Sequence, residues 1–81
     1  MSNCHINDIL YNSNSWINFR ESEYYTDNIN IHWLQSGSNY YTGEYFNEEH
    51  NIIVLINIDT EYNECAIFIL DGDTRIDIES F

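Results

Sequence analysis

Carboxylates are the most frequent chemically reactive side chains in this sequence, and one group has a spacing that could suit a hard cation. Asp71, Asp73 and Asp77 lie close together in the chain, and Ca²⁺ binds several oxygen ligands at once. Their spacing departs from that of the EF-hand loop, because Gly72 separates the first two acids. A hairpin turn followed by an edge strand explains these residues better, so we predict no metal site here.

The residues that bind softer metals are also poorly placed for a site. His5, His32, His50, Cys4 and Cys65 contain no CxxC or HxxxH pair, which is the spacing typical of structural zinc. Two cysteines are too few for a disulfide scaffold, so we expect reduced thiols in an intracellular protein. The alternative is one bridge that ties the N-terminal segment to a late strand.

Catalytic motifs are absent from the sequence. It has no nucleophile elbow, no phosphate-binding Gly loop and no P-loop Lys. Glu48 and Glu49 could in principle act as an acid/base pair, but a single sheet of 81 residues leaves little room for a pocket that excludes water. We therefore predict a protein that is not an enzyme and that needs no cofactor.

The charge balance indicates a different role for the acids. Fourteen Asp and Glu stand against Arg20 and Arg75, there is no Lys, and the formal net charge is -12. Small domains usually carry a net charge of roughly 2 to 8 in magnitude, because a surface of one sign repels itself. Solubility alone could explain an acidic surface, but a basic protein partner explains it better. Direct binding to nucleic acid or to anionic membranes is disfavoured.

The acids are spread along the chain and do not form a tail. Those expected to touch the partner are Glu44, Glu48, Glu49, Asp71, Asp73, Asp77 and Glu79. Carboxylates on one strand face lie about 6.6 to 6.8 Å apart, and neighbouring strands lie about 4.8 Å apart. DNA has one phosphate every 3.4 Å or so along each strand. Mimicry of DNA would therefore need acids from several elements.

Aromatic residues come in adjacent pairs, of which Tyr40-Tyr41 and Tyr45-Phe46 lie near acids. Adjacent residues of a strand point to opposite faces, so one ring of each pair should be exposed. Exposed Tyr is common at the centre of protein interfaces. We expect Tyr41 and Tyr45 to lie near the interface with Glu44, although both rings of a pair could simply fill the two faces of a thin sheet.

The elements that must position these residues follow from hydrophobic periodicity. Ile6, Ile9 and Leu10 have helical spacing, which predicts one short helix from Ser2 to Tyr11, capped by Ser2 or Asn3. Residues 12–25 could be helix, strand or loop. From Ile29 to Trp33 the apolar residues alternate, which predicts the first strand.

Four further segments predict strands with stronger signals: Asn39 to Phe46, Ile52 to Asp59, Glu64 to Leu70 and Thr74 to Ser80. The second has β-branched residues on both faces, which is typical of a central strand. Asp71-Gly72 predicts a type I′ hairpin turn, and the charged residues after it indicate an edge strand.

The predicted fold class is α+β, mainly antiparallel β. We expect one domain over residues 1–81, with a four- to five-stranded antiparallel meander and one short N-terminal helix; the alternative is an all-β fold. The sequence has no apolar run of the roughly 20 residues that span a bilayer and no visible export signal. We therefore expect a cytoplasmic protein that is a monomer or a homodimer.

In size, charge, absence of Lys and β-rich body, the chain resembles the small acidic inhibitors that phages and mobile elements encode against restriction or CRISPR systems, several of which are DNA mimics. The resemblance implies an inhibitor that docks on the basic nucleic-acid-binding surface of a host defence nuclease complex in the bacterial cytoplasm. The alternative is an immunity or antitoxin protein that neutralises a cationic nuclease toxin. A third possibility is an acidic oligomerising domain.

Overall fold

A single sheet and two short helices make up the described part of the chain. The computed structural model describes residues 2–27 and 29–78, with the side chains from Ile6 onward. The elements are α1 (Ser2–Asn12), α2 (Asn14–Arg20), β1 (His32–Gln35), β2 (Tyr40–Asn47), β3 (Ile52–Asp59), β4 (Glu64–Asp71) and β5 (Thr74–Ile78). All neighbouring strands are antiparallel, and their order in the sheet is their order in the chain. The predicted α+β fold with an antiparallel meander is confirmed.

The helical region is longer than the sequence predicts. Helix α1 is confirmed, and its Ile6, Ile9 and Leu10 are all buried. The predicted caps Ser2 and Asn3 lie outside the residues whose side chains the structure describes.

Residues 12–25, which the sequence leaves open, contain a second helix. Ser13 separates α1 from α2 because its side chain accepts a hydrogen bond from the backbone N–H of Trp16 at 3.1 Å. A serine at this N-cap position starts a new helix, so Trp16 to Phe19 is helix and not strand.

The first strand is shorter than predicted. Strand β1 begins at His32 and not at Ile29. The segment that leads to β1 is fixed to β2 at an earlier point. The side-chain amide of Asn47, in β2, donates a hydrogen bond to the backbone carbonyl of Tyr24 at 3.0 Å. Ile29 and Ile31 are half-buried against the core without joining the sheet.

The helices cover one face of the sheet, which we call the covered face. Central strand β3 contributes four buried side chains to it, Ile52, Val54, Ile56 and Ile58. From the helices, Leu10 and Phe19 are fully buried against this face. Ser15 links the layers, because its buried hydroxyl donates to the carbonyl of Cys65 in β4 at 2.9 Å.

The alternate side chains of the same strands form the opposite surface, which we call the open face because no described helix packs on it. It contains Leu34, Thr42, Glu44, Phe46, Ile53, Leu55, Asn57, Ala66, Phe68, Leu70, Arg75 and Asp77. Every one of these is exposed or half-buried. Among the residues described, no helix has the length and apolar character needed to cross a membrane.

Candidate protein-binding surface

Four of the predicted contact residues come together at one end of the sheet. Glu48 and Glu49 lie in the turn between β2 and β3, and Asp71 and Asp73 lie at the turn between β4 and β5. In a meander, alternate hairpin turns lie at the same end of the sheet, and β3 and β4 are neighbours. We call these four exposed carboxylates the acidic end.

The turn that carries Glu48 and Glu49 is held in place by a buried amide. Asn47 accepts a hydrogen bond from the backbone N–H of His50 at 3.2 Å while its amide nitrogen donates to Tyr24. Asn51 closes the turn in the left-handed conformation, with φ of 57°, which Asn tolerates better than most residues. The two glutamates therefore extend into solvent from an anchored turn.

The turn that carries Asp73 differs from the predicted type. Asp71 pairs with Thr74, so the two central residues are Gly72 and Asp73 rather than Asp71 and Gly72. Gly72 has a positive φ of 63°, and Asp73 does not. Positive φ at the first central residue alone is typical of a type II′ turn, whereas type I′ requires it at both.

A third segment brings another acid to this end. The pKa of Tyr24 is raised above its usual value by partial burial and by the neighbouring carboxylates of Glu23 and Asp71. These two acids come from the segment after α2 and from β4, so three parts of the chain contribute negative charge to the same place. The Tyr24 ring packs edge-on against His50, with 6.5 Å between ring centroids. Tyr24 and Glu23 are not among the predicted contact residues, because they lie in residues 12–25, whose structure the sequence leaves open.

Glu44 and Asp77 lie on the open face and not at the acidic end. Glu44 is opposite Leu55, Leu55 is opposite Phe68, and Phe68 is opposite Asp77. Three strand spacings of about 4.8 Å place the two acids about 14 Å apart at the Cα atoms. They flank an apolar centre.

The cation of β5 is already paired. Arg75 Nε donates to Asp77 Oδ1 at 2.9 Å, and the guanidinium lies 4.1 Å from the centre of the Phe68 ring. Both members of the ion pair are exposed, so it contributes little to stability. Its effect is to neutralise one acid at the β5 side, while no described Arg forms an ion pair with Glu44 at the β2 side.

The predicted aromatic contacts are partly wrong. Tyr45 is only 6% exposed, because it points to the covered face, and its neighbour Phe46 is the exposed ring, at 55%. Tyr41 also faces the covered side and is half-buried against the core. In the pair Tyr45-Phe46, one ring is buried and the other is exposed, as predicted. Tyr45 is the buried ring, so it is a core residue and is unavailable to a partner. Glu79 lies outside the described residues.

The Tyr45 hydroxyl is buried without a hydrogen-bond partner among the described residues. Burial, with a smaller contribution from Tyr25, raises the pKa of Tyr45 to about 12. A buried phenol of this kind is kept neutral at physiological pH.

A groove of about 820 Å³ lies where the two helices meet the sheet and includes Ser13, Tyr41, Asn57 and Cys65. Burial raises the pKa of the Cys65 thiol, and a hydrogen bond with Ser13 lowers it by a smaller amount. A thiol with a raised pKa is protonated at neutral pH and is a poor nucleophile. In the described part of the chain, no three His, Cys, Asp or Glu side chains are grouped so as to hold a metal ion.

Comparison of the chain with protein-family models, with curated proteins and with solved structures found no match.

Proposed function

We propose that this protein is a non-enzymatic inhibitor that binds the positively charged nucleic-acid-binding surface of a host defence nuclease complex and blocks the binding of target DNA. One observation carries the proposal: two turns and the segment after α2 bring their carboxylates to the same end of the sheet. Like charges grouped in this way repel each other, and a basic partner relieves that repulsion while it gains Coulomb attraction.

The arrangement of the acidic end is compatible with mimicry of a phosphate backbone. Single strands space their carboxylates too widely to follow DNA, but the acidic end draws on two hairpin turns at the same end of the sheet, and Glu23 lies beside Asp71. Each turn also supplies two acids, which are one or two positions apart in the chain. In this proposal the acids compete with DNA phosphates for the same Arg and Lys side chains.

The proposal is tested with purified CRISPR effector–guide complexes and with purified restriction nucleases. Binding of labelled target DNA is followed by mobility shift as the protein is added. We expect the DNA shift to be lost for at least one of these complexes. The variant Glu48→Gln, Glu49→Gln, Asp71→Asn, Asp73→Asn should inhibit at least about tenfold less, because it removes the charge that steers and holds the complex.

A matched variant separates the acidic end from net charge. Asp8→Asn, Glu21→Gln, Asp27→Asn and Glu61→Gln neutralise the same number of acids at exposed positions elsewhere. This variant should inhibit almost as well as the native chain. Equal losses for the two variants would show that only total charge matters. Inhibition of a cationic nuclease toxin, with no effect on any DNA-binding complex, would instead favour the immunity-protein alternative.

A further inference from the structure

The centre of the open face is apolar although it lies on the solvent side of the sheet. Phe46, Ile53 and Leu70 are opposite one another on β2, β3 and β4, and Leu55 and Phe68 form the next level. We call these five residues the apolar patch. Phe46 is 55% exposed and Ile53 is 41% exposed, and the other three are half-buried. Contiguous exposed apolar surface of this kind typically marks an interaction site.

The patch adjoins the acidic end, so one partner can contact both. Ile53 and Leu70 are the cross-strand pair nearest to the β2–β3 and β4–β5 turns. The acidic end offers four side chains, whereas a standard protein interface uses roughly 20 to 30 residues from each side. A stable complex must therefore extend over a neighbouring surface, and the open face is the surface that carries apolar contacts.

The charged residues around the apolar patch indicate which kind of partner binds there. Glu44 flanks it at β2, and Asp59 and Glu64 lie on the same face toward the opposite end. Arg75, the cation at this border, is paired with Asp77. A second copy of the chain would bring acidic borders together, and juxtaposed like charges oppose association. A partner with Lys or Arg around an apolar ridge complements both parts of the surface.

We propose that the open face is a docking surface for a protein that presents an apolar ridge bordered by Lys or Arg. This inference rests on the proposed function and adds to it the apolar half of the same interface. The acidic end provides attraction that salt weakens, whereas burial of Phe46 and Ile53 provides affinity that salt does not screen. A polycation without an apolar ridge would therefore bind much more weakly.

Two synthetic helical peptides of equal length and equal Lys content serve as probes. One has Leu along the stripe between its lysines, and the other has Ala there, which preserves helicity and charge. Binding to the native chain is measured by isothermal titration calorimetry. We expect the Leu peptide to bind about tenfold tighter or more, which corresponds to burial of one or two apolar side chains.

Variants of the patch should remove that preference. Phe46→Thr with Ile53→Thr keeps β-forming residues on the strands and should reduce binding of the Leu peptide to the level of the Ala peptide. Ile17→Thr is the matched control, because Ile17 is a comparably exposed isoleucine on α2. It should leave the preference for Leu unchanged.

Ile53→Glu provides a second test that does not depend on the Thr variants. It adds negative charge to the patch, so attraction by charge alone would strengthen binding of the Leu peptide. Docking on an apolar ridge predicts weaker binding instead. Circular dichroism of each variant checks that the sheet is retained.

Several outcomes would overturn the inference. Equal binding of the two peptides, or binding of the Leu peptide that the patch variants leave intact, would show that the open face is not used. Self-association that Phe46→Thr with Ile53→Thr abolishes, without peptide binding, would identify a second copy as the occupant. If the acidic end is needed to block DNA binding while neither peptide is bound, the proposed function stands and this inference fails.

Discussion

Both faces of β3 and β4 have large apolar side chains, but these side chains have different surroundings. On the covered face Ile56 and Ile67 are fully buried under the helices, whereas on the open face Ile53 is 41% exposed. The helices explain the difference. Helices α1 and α2 have 11 and 7 residues, and at 1.5 Å per residue they extend only about 16 and 10 Å. That length covers one face of a five-stranded sheet.

Apolar side chains on the open face should contribute less to the free energy of unfolding than those on the covered face. Burial of apolar area is what stabilises a core, and Ile53 and Phe46 keep much of their area in water. Their hydrophobicity costs solubility unless a partner covers them. A substitution on one face should therefore have a different effect from the same substitution on the other.

The largest effect is expected from the same substitution made on opposite faces of β3. Ile56→Ala should lower the free energy of unfolding by about 2 to 5 kcal/mol, because it leaves a cavity in the core. Ile53→Ala should lower it by about 1 kcal/mol or less. Urea unfolding of both variants measures the difference. Equal losses would mean that the open face is covered in solution.

A smaller loss is expected where β1 joins the covered face. A Cβ atom at Gly43 would lie 2.7 Å from Ile31 Cγ2 and 2.8 Å from a ring carbon of Trp33. Gly43→Ala should therefore destabilise the fold by about 1 to 3 kcal/mol through overpacking. Thr42→Ala, on the adjacent open-face residue, should cost less than about 1 kcal/mol. Thermal unfolding of both proteins is the measurement, and a neutral Gly43→Ala would contradict the close packing of Trp33.

Tyr45, on the covered face, should make the stability of the fold depend on pH. Its folded-state pKa of about 12 exceeds the ordinary value of 10.0, so its contribution to stability is complete below pH 10 and is lost as the pH rises toward 12. Between these values the unfolded chain releases the proton and the folded chain keeps it. The free energy of unfolding should fall by about 1.4 kcal/mol per pH unit from this residue.

The variant Tyr45→Phe isolates that contribution. It should be within about 1 kcal/mol of the native protein at neutral pH, because it removes a buried hydroxyl that lacks a partner among the described residues. At pH 11 or so it should be more stable than the native protein by about 1 kcal/mol. Parallel alkaline unfolding curves for the two proteins would place the Tyr45 side chain in solvent.

The smallest effect is expected at the border of the open face. Arg75→Gln removes the ion pair with Asp77 and the contact with Phe68. Because Arg75 and Asp77 are exposed, the free energy of unfolding should change by less than about 1 kcal/mol. Chemical unfolding at low and high salt checks this. A larger loss would mean that Arg75 supports the open face in the folded monomer.

Much of the fold was predictable from the sequence because its patterns are long and local. The alternation from Ile52 to Asp59 gives the bounds of β3, and apolar residues on both of its faces indicate a central strand, which the sheet order confirms. Helix α1 follows in the same way from Ile6, Ile9 and Leu10. The region of α2 has no such pattern, because Trp16 and Phe19 suit a helix or a strand. The N-cap at Ser13 is what distinguishes the helix from a strand here.

The candidate site was predictable in part. The convergence of Glu48, Glu49, Asp71 and Asp73 at one end depends on the meander, so the sequence alone could only name the residues. The error at Tyr45 had an available signal: Phe46 and Glu44 share one face of β2, and a carboxylate marks the solvent side. The turn type depends on register, which sets Gly72 and not Asp71 as the first central residue.

The salt dependence of inhibition tests the central claim most directly. Affinity for the inhibited nuclease complex is measured by competition with target DNA from about 50 to about 300 mM NaCl, a range over which exposed charges become screened. The native chain and the matched variant with Asp8, Glu21, Asp27 and Glu61 neutralised should lose affinity steeply. The variant with the acidic end neutralised should start about tenfold weaker and have a shallower slope. Affinity that is independent of salt, or equal slopes for all three proteins, would contradict docking through the acidic end.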